Sequence, residues 1–295
     1  MNFQLPLDAW VKHLINYILD NFQPVLDGFA AVIDGFGAAV DGALLAVPVW
    51  LMAAVATALA LSRLGWRFAL FTLASLLLIV SMDLWPATAS TLGLVLTSTA
   101  LSLVFGVPLG IWMARNKLVE SISKAGLDFM QTMPAFVYLI PAVMFFGLGR
   151  VPGIIATVVF AMPPAARLTA LGIQQVPVEV VEAGRAFGCT DGQLLFRVQL
   201  PYARPSIMAG INQTMMMALS MVVIASMIGA GGLGNVVLQG IQRLDIGLGF
   251  KSGLSVGLLA IILDRITQSF GLRDVAPSKR RFAPFLHRFF PVFAH

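Results

Sequence analysis

Long apolar runs, separated by short polar segments, repeat along most of the 295-residue chain. About 20 apolar residues are needed to cross about 30 Å of hydrocarbon as a helix. The pattern therefore predicts an all-α integral membrane protein with about seven transmembrane helices. The predicted spans are residues 43–62, 67–83, 88–114, 132–148, 151–171, 206–229 and 249–269. The second and fourth runs are short, which leaves a tilted or partly re-entrant course open for them.

The composition indicates that lipid, rather than water, is the main solvent of this chain. Hydrophobic residues make up 58% and charged residues only 11%, whereas a soluble domain carries about 25% charged residues. The net charge of +5 does not indicate nucleic-acid binding, because the basic residues lie at the ends of apolar runs rather than along one stripe. No cleavable signal peptide is expected, since the first 42 residues lack a basic segment followed by a long apolar run.

The distribution of Lys and Arg predicts the orientation in the membrane. Cytoplasmic loops carry an excess of these two residues. With the amino terminus outside and the carboxyl terminus inside, 15 of the 19 Lys and Arg residues fall on the inner side. The residues that remain outside are Lys12, Arg150, Arg243 and Lys251. The opposite orientation would invert this ratio.

Residues 1–42 contain a repeat of acidic and aromatic residues. Asp20, Asp27, Asp34 and Asp41 recur every seven residues, and phenylalanines follow the first three of them two positions later. Two residues correspond to about 200° on a helix, so acids and rings lie on opposite faces. The pattern predicts an extracytoplasmic amphipathic segment at the outer membrane surface. Docking of an extracytoplasmic partner is the alternative. Accessory transmembrane helices are expected to follow within residues 43–84.

A charged stretch after the fifth predicted span, VEVVEAGRAFGCTDGQLLFRVQLP, differs from its apolar surroundings. Pro177 suits the first turn of a helix, where its missing N–H costs nothing. The helix is expected to run through Phe187. Gly188 is placed to end it, because glycine adopts a left-handed conformation without penalty.

A second short helix is predicted directly after this glycine. Thr190 can cap it, and Gln193 three residues later completes a capping box. Pro201 is expected to stop it. Residues 177–201 are therefore predicted to form a compact cytoplasmic hairpin of two helices, which we call the coupling hairpin. Defined start and stop signals of this kind are typical of a rigid surface that docks against another protein.

The coupling hairpin resembles the EAA loop of ABC-importer permeases, a cytoplasmic segment that docks into the ATPase subunit in that family. The resemblance rests on residues at fixed spacing: Glu182, Ala183, Gly184, Gly188, Val198, Leu200 and Pro201. Gly184 stands where alanine is usual, and Val198 where isoleucine is usual. The resemblance implies that these residues couple ATP hydrolysis by a separate subunit to transport.

Further segments resemble the glycine betaine/proline betaine/choline branch of these permeases. They are MQTMPAFVYLIPAVMFFGLG (130–149), PPAARLTALGIQQVP (163–177) and NQTMMMALSMVVIASMIGAGGLG (212–234). The resemblance covers roughly residues 85–270. It implies a five-helix, binding-protein-dependent permease core at 85–272, followed by a basic cytoplasmic tail at 273–295.

The same resemblance implies partners, location and substrate. The expected assembly is a homodimer in the bacterial inner membrane, with separate ABC ATPase subunits and an extracytoplasmic substrate-binding protein. The expected substrate is a quaternary ammonium compound such as glycine betaine, proline betaine or choline. Import of such compounds would serve osmoprotection.

The sequence lacks residues that catalytic or metal-binding functions need. It has no GxxxxGK[ST] motif, so the chain is not expected to hydrolyse ATP alone. The three histidines are scattered near the termini, which disfavours a metal site or a catalytic dyad. Cys189 is the only cysteine, so an internal disulfide is excluded. We expect a transport subunit that is not an enzyme, with no catalytic residue, metal or cofactor.

The alternative function is an ion-coupled secondary transporter or channel for a small solute. Such mechanisms need ionisable or oxygen-rich groups at membrane depth. The third, fourth and sixth predicted spans contain no Asp, Glu, Lys, Arg or His. Asp83 and Asp264 lie near the ends of predicted spans, and Arg265 follows Asp264. An external ATPase is therefore the simpler source of energy. A structural scaffold is disfavoured, because prolines and glycines interrupt the spans.

A substrate pathway is predicted along aromatic and methionine residues of the central spans. A quaternary ammonium has no N–H to donate, and aromatic faces stabilise it by cation–π attraction. Phe136 and Tyr138 are preferred, because a proline on either side is expected to break their helix. Met216 and Met221 belong to a methionine cluster that can repack easily. For each of these residues, ordinary packing between helices is the alternative role.

Overall fold

The computed structural model describes residues 7–272, except for the side chains of residues 7–9, 11, 14 and 272. Every regular element in this range is helical. The helices are α1 (Leu7–Ala46), α2 (Val49–Leu64), α3 (Trp66–Ser81), α4 (Trp85–Arg115), α5 (Lys117–Thr132), α6 (Leu139–Phe146), α7 (Arg150–Gln174), α8 (Val178–Ala186), α9 (Asp191–Gln193), α10 (Leu200–Ser226), α11 (Gly232–Gln242) and α12 (Ile246–Leu272). A 3₁₀ turn (Ala135–Tyr138) precedes α6, and a π-helical turn (Leu194–Gln199) joins α9 to α10. The tail predicted at 273–295 lies outside the described residues.

Five helical runs in the described range are long and apolar enough to span a membrane. They are Ile15–Ala46, Trp85–Arg115, Arg150–Gln174, Asp191–Ser226 and Ile246–Gly271. A sixth candidate consists of α5 and the Ala135–Phe146 segment, and the chain bends by 107° between them. Pro134 lies at this break with a ψ of 136°, which is not helical. The fourth predicted span is thus broken beside its proline, and α5 before it is a charged amphipathic helix.

The helices at the amino-terminal end differ from the sequence prediction in their bounds. α1 continues without a break to Ala46, and so includes the first four residues of the span predicted at 43–62. The two accessory helices are present as α2 and α3, but each has 16 residues. This length corresponds to about 24 Å at a rise of about 1.5 Å per residue, less than a full crossing. Gly65, with a φ of 93°, makes the tight turn between them.

α4, α7 and α10 form the centre of the fold. Glycines let these helices approach closely, as small residues commonly do in membranes. A Cβ added to Gly110 of α4 would lie 2.4 Å from the carbonyl oxygen of Ala166 in α7. A Cβ added to Gly172 of α7 would lie 2.7 Å from Cβ of Ser206 in α10. Apolar side chains close the remaining space, among them Leu94, Val95, Ile154, Leu219 and Val222.

The segment predicted as a surface helix is helical, as part of α1, and some of its residues pack on the core. Its course along the outer surface stays a prediction, since Ile15–Ala46 is also long and apolar enough to span a membrane. Ile33 is buried in the cluster formed by α4, α7 and α10. The rings of Phe29 and Phe146 lie 6.4 Å apart. Asp41, the last acid of the repeat, forms an ion pair with Arg150 at the start of α7. The three earlier acids of the repeat are exposed, as an amphipathic helix predicts.

Candidate coupling hairpin and substrate pathway

The first helix of the coupling hairpin begins and ends close to the predicted positions. Pro177 precedes α8, and Glu179 lies in its first turn, near the positive end of the helix dipole. The last helical residue is Ala186 rather than Phe187. Gly188 has a φ of 79°, and its N–H donates to the carbonyl oxygen of Arg185 at 2.9 Å.

A second backbone bond completes this helix end. The N–H of Cys189 donates to the carbonyl oxygen of Gly184 at 3.1 Å. The two bonds together form a Schellman motif, in which the residue at the position of Gly188 adopts the left-handed conformation. The predicted role of Gly188 as the end of the helix is confirmed in the structure.

The second helix begins with the predicted capping box. The N–H of Gln193 donates to Oγ1 of Thr190 at 3.3 Å, and the N–H of Thr190 donates to Oε1 of Gln193 at 3.0 Å. Each side chain therefore satisfies a backbone group that has no partner within the helix. The corner between α8 and α9 is fixed from both sides.

The expectation that Pro201 stops the second helix is wrong. The helical run continues from Asp191 through the π-helical turn into α10 and ends at Ser226. Proline normally disrupts a helix because its ring clashes with the carbonyl group four residues earlier. The wider π-helical turn, Leu194–Gln199, directly precedes Pro201, and the N–H of Leu200 donates to the carbonyl oxygen of Leu195, five residues earlier. This change of register makes room for the ring, so Pro201 lies in the first turn of α10.

Apolar contacts hold the two helices of the hairpin together and anchor them to the core. Leu195 is buried with Ile173 of α7 and Ala203 of α10. A Cβ added to Gly184 would lie 2.8 Å from Cδ1 of Leu194, so the two helices meet closely at this glycine. Nη2 of Arg115, at the end of α4, donates to the carbonyl oxygen of Asp191 at 3.3 Å.

The exposed surface of the coupling hairpin carries large apolar side chains. Phe187 is 90% exposed and Phe196 is 67% exposed. Glu182 and Ala183 are exposed as well, whereas Gly184, Val198 and Leu200 are partly buried. Exposed aromatic residues on a rigid element are typical of a surface that binds another protein. The sequence-based list of coupling residues did not include Phe187 or Phe196, although their position in a polar, charged segment was a usable signal.

A charged network that was not predicted lies between α5 and α7. Nζ of Lys124 lies 2.7 Å from Oε1 of Glu120, and Nε2 of Gln174 donates to the same oxygen at 3.0 Å. Arg167 of α7 pairs with Asp128 of α5 in the same groove. These contacts hold α5 against the half of α7 that leads to the hairpin.

The structure brings two of the four predicted pathway residues together. Met221 is fully buried in a cluster with Leu139 and Ala142, and Tyr138 packs against this cluster. The hydroxyl of Tyr138 donates to the carbonyl oxygen of Met130 at 2.6 Å, which ties the 3₁₀ turn to α5. Tyr138 therefore has a packing role in this conformation.

The other two pathway residues lie apart from that cluster. Phe136 is 53% exposed, and Met216 packs against the separate core of α4, α7 and α10. Their part in a pathway stays a prediction. Within residues 7–272, excluding the few undescribed side chains, no group of three or more His, Cys, Asp or Glu residues could hold a metal ion.

Comparison with known families identifies the chain. Residues 106–272 match the model of the family described as binding-protein-dependent transport system inner membrane component. The chain belongs to this family. The matched region contains α7, the coupling hairpin and α10, and ends with α12. The protein is therefore a multi-pass inner-membrane permease subunit of an ABC importer, and its family implies an ATPase partner and a substrate-binding protein.

Individual relatives agree with this family. The chain is 48% identical to the glycine betaine/proline betaine transport system permease protein ProW of Escherichia coli, over 94% of this chain and 78% of that protein. It is 51% identical to the glycine betaine/carnitine transport permease protein GbuB of Listeria monocytogenes, over 90% of this chain and 95% of that protein. Among solved structures, the inward-facing MetNI methionine ABC transporter matches with a TM-score of 0.55 and 25% identity. That match covers 63% of this chain and 91% of the solved chain.

Proposed function

We propose that this permease subunit imports quaternary ammonium compounds, namely glycine betaine, proline betaine or choline. The observation that carries the proposal is the identity of about half of all residues to permeases named for glycine betaine transport, over 90% or more of this chain. The residues of the central helices are compatible with such a cargo. α4, α7 and α10 contain no acids, and their aromatic and methionine side chains offer weak, diffuse contacts to a cation that has no N–H.

The energy for import comes, in this proposal, from ATP hydrolysis in a separate subunit. The coupling hairpin supplies the contact, through its exposed side with Glu182, Phe187 and Phe196. Its anchored side, with Leu195 buried against α7 and α10, supplies the connection to the core. Movement of the docked ATPase would thus be transmitted directly to α10, because α9, the π-helical turn and α10 form one helical run. The chain itself does not hydrolyse ATP, which its lack of a GxxxxGK[ST] motif supports.

The assembly is a homodimer with the amino terminus outside and the carboxyl terminus inside. The Lys and Arg distribution supports this orientation, and it places the coupling hairpin in the cytoplasm. α1 has 40 residues, which corresponds to about 60 Å, twice the thickness of the hydrocarbon. Its exposed acids, Asp20, Asp27 and Asp34, favour a course of the first part of α1 along the outer surface, in contact with water.

Isolation of the protein from its native membrane tests the proposed assembly. An ATPase subunit and an extracytoplasmic binding protein should co-purify with the tagged permease after mild cross-linking. The recovered binding protein should release glycine betaine or another quaternary amine on denaturation, as measured by mass spectrometry. A binding protein that carries an amino acid or a sugar would refute the substrate class and leave the permease assignment intact.

A further inference from the structure

One carboxylate lies within α4, α7, α10 and α12, that of Asp264. The sequence pattern placed this residue near the end of a span. α12 continues to Leu272, however, so Asp264 lies eight residues before the helix end, about 12 Å along the axis. Ionisable groups within membrane-spanning helices are rare and generally mark a substrate or ion pathway.

Two carboxamides, rather than a basic residue, hold this carboxylate. Nδ2 of Asn212 and Nε2 of Gln268 both donate to Oδ1 of Asp264, at 2.9 Å and 2.8 Å. The ion pairs in the described part of the chain involve other acids, so Asp264 has no Lys or Arg partner there. Arg265, its neighbour in sequence, is exposed on another face of α12.

A cavity of about 540 Å³ lies beside these groups, between α7, α10 and α12. Its polar lining comes from Asn212, Gln213 and Gln268, and its apolar lining includes Leu168 and Met208. The NH₂ groups of Asn212 and Gln268 are turned to Asp264. The carbonyl oxygen of Gln268, which belongs to the cavity lining, is therefore the acceptor that a ligand can reach. Oδ1 of Asn212 is buried and has no hydrogen-bond partner. The cavity thus combines amide side chains and an apolar wall, with the Asp264 carboxylate directly behind two of the amides. Its volume lies in the range of about 300–1,000 Å³ typical of small-molecule sites.

We propose that this cavity binds the quaternary ammonium head group of the transported solute on its way to the cytoplasm. The proposal rests on the proposed function and adds the place where the cation is held. The methyl groups of such a cation contact apolar side chains, and its charge is attracted by the Asp264 carboxylate behind the wall and by the amide oxygen of Gln268. Among the residues that the structure describes, no group of three or more His, Cys, Asp or Glu side chains lies here to hold a metal ion instead. Pro205 and Gly271, in the cavity wall, lie near the cytoplasmic ends of their helices.

Protection of a cysteine in the cavity wall tests the proposal. Ala209 lines the cavity and is exposed, so Ala209→Cys in a Cys189→Ser background should react with N-ethylmaleimide in nanodiscs. Tetramethylammonium chloride should slow this reaction, whereas potassium chloride at the same ionic strength should not. Asp264→Asn should raise the concentration for half-protection at least tenfold. Asp245→Asn, at the exposed turn before α12, is the matched control. It should leave the tetramethylammonium concentration for half-protection unchanged.

Equal protection by potassium, or unchanged protection in Asp264→Asn, would overturn the proposal. If Asp264→Asn does not fold, Leu168→Trp fills the cavity without removing the Asp264 contacts and should abolish protection. Persistent protection in Leu168→Trp would equally count against the site. Uptake of glycine betaine is measured separately, on the same protein reconstituted in proteoliposomes with its ATPase and binding protein. Protection without uptake of any quaternary amine would refute the proposed cargo while keeping a site for organic cations.

Discussion

At the scale of single residues, Gly188 defines the geometry of the coupling hairpin. Its φ of 79° and the backbone bonds around it turn the chain sharply between α8 and α9. A residue with a Cβ, and above all a β-branched one, is strained in this conformation. The space around Gly184 shows why this position accepts either glycine or the alanine that is usual in the EAA loop. An alanine there would press on the end of the flexible Leu194 side chain, which can move, so both residue types fit.

Gly188→Val is therefore expected to uncouple transport. The strain of about 1–3 kcal/mol should displace the corner and lower ATP-driven uptake at least tenfold, while the protein still inserts in the membrane. Gly192→Val is the matched control, because Gly192 lies in the same corner with open space around its Cβ position and no left-handed conformation. Uptake and ATPase co-sedimentation are measured for both. Normal uptake in the Gly188 variant would show that the shape of this corner is not needed.

At the scale of elements, helix caps and helix ends could be predicted from the sequence, whereas contacts between helices could not. The capping box at Thr190 and the helix end at Gly188 depend on a few neighbouring residues, so both were predicted. The continuation of the helix past Pro201 depends on a π-helical register, which residue propensities do not encode. The Asp264 cluster depends on which face of α12 meets Asn212 of α10, and no local pattern reveals that pairing. For the same reason, the sequence did not show that Tyr138 and Met221 share one cluster while Met216 packs in another.

The close packing of α4 on α7 gives a stability prediction. In Gly110→Ala the new Cβ would lie 2.4 Å from the backbone oxygen of Ala166, which cannot move without a shift of the helix. Overpacking of this kind costs about 1–3 kcal/mol. Gly126→Ala on α5 is the control, because nothing lies within 4 Å of its Cβ position. Thermal unfolding in detergent should show a lower midpoint only for the Gly110 variant, and equal midpoints would contradict the described packing.

At the scale of the whole molecule, the topology sets which surfaces meet which partners. The proposed orientation places Cys189 of the hairpin in the cytoplasm and α1 outside. A membrane-impermeant maleimide should therefore label native Cys189 only in inside-out vesicles. Ala38→Cys and Gln23→Cys, each in a Cys189→Ser background, should be labelled only in right-side-out vesicles. Labelling of Gln23→Cys from the inside alone would show instead that α1 crosses the membrane.

The central claim, that this chain is the permease of an ATP-driven importer for quaternary ammonium compounds, is tested most directly by uptake. The permease is reconstituted in proteoliposomes with its ATPase and binding protein, and accumulation of radiolabelled glycine betaine is measured with ATP inside. Accumulation should require ATP, be competed by excess unlabelled proline betaine or choline, and persist when ion gradients are dissipated. ATP-independent uptake driven by an ion gradient, or uptake of an amino acid or sugar without competition by quaternary amines, would contradict the account.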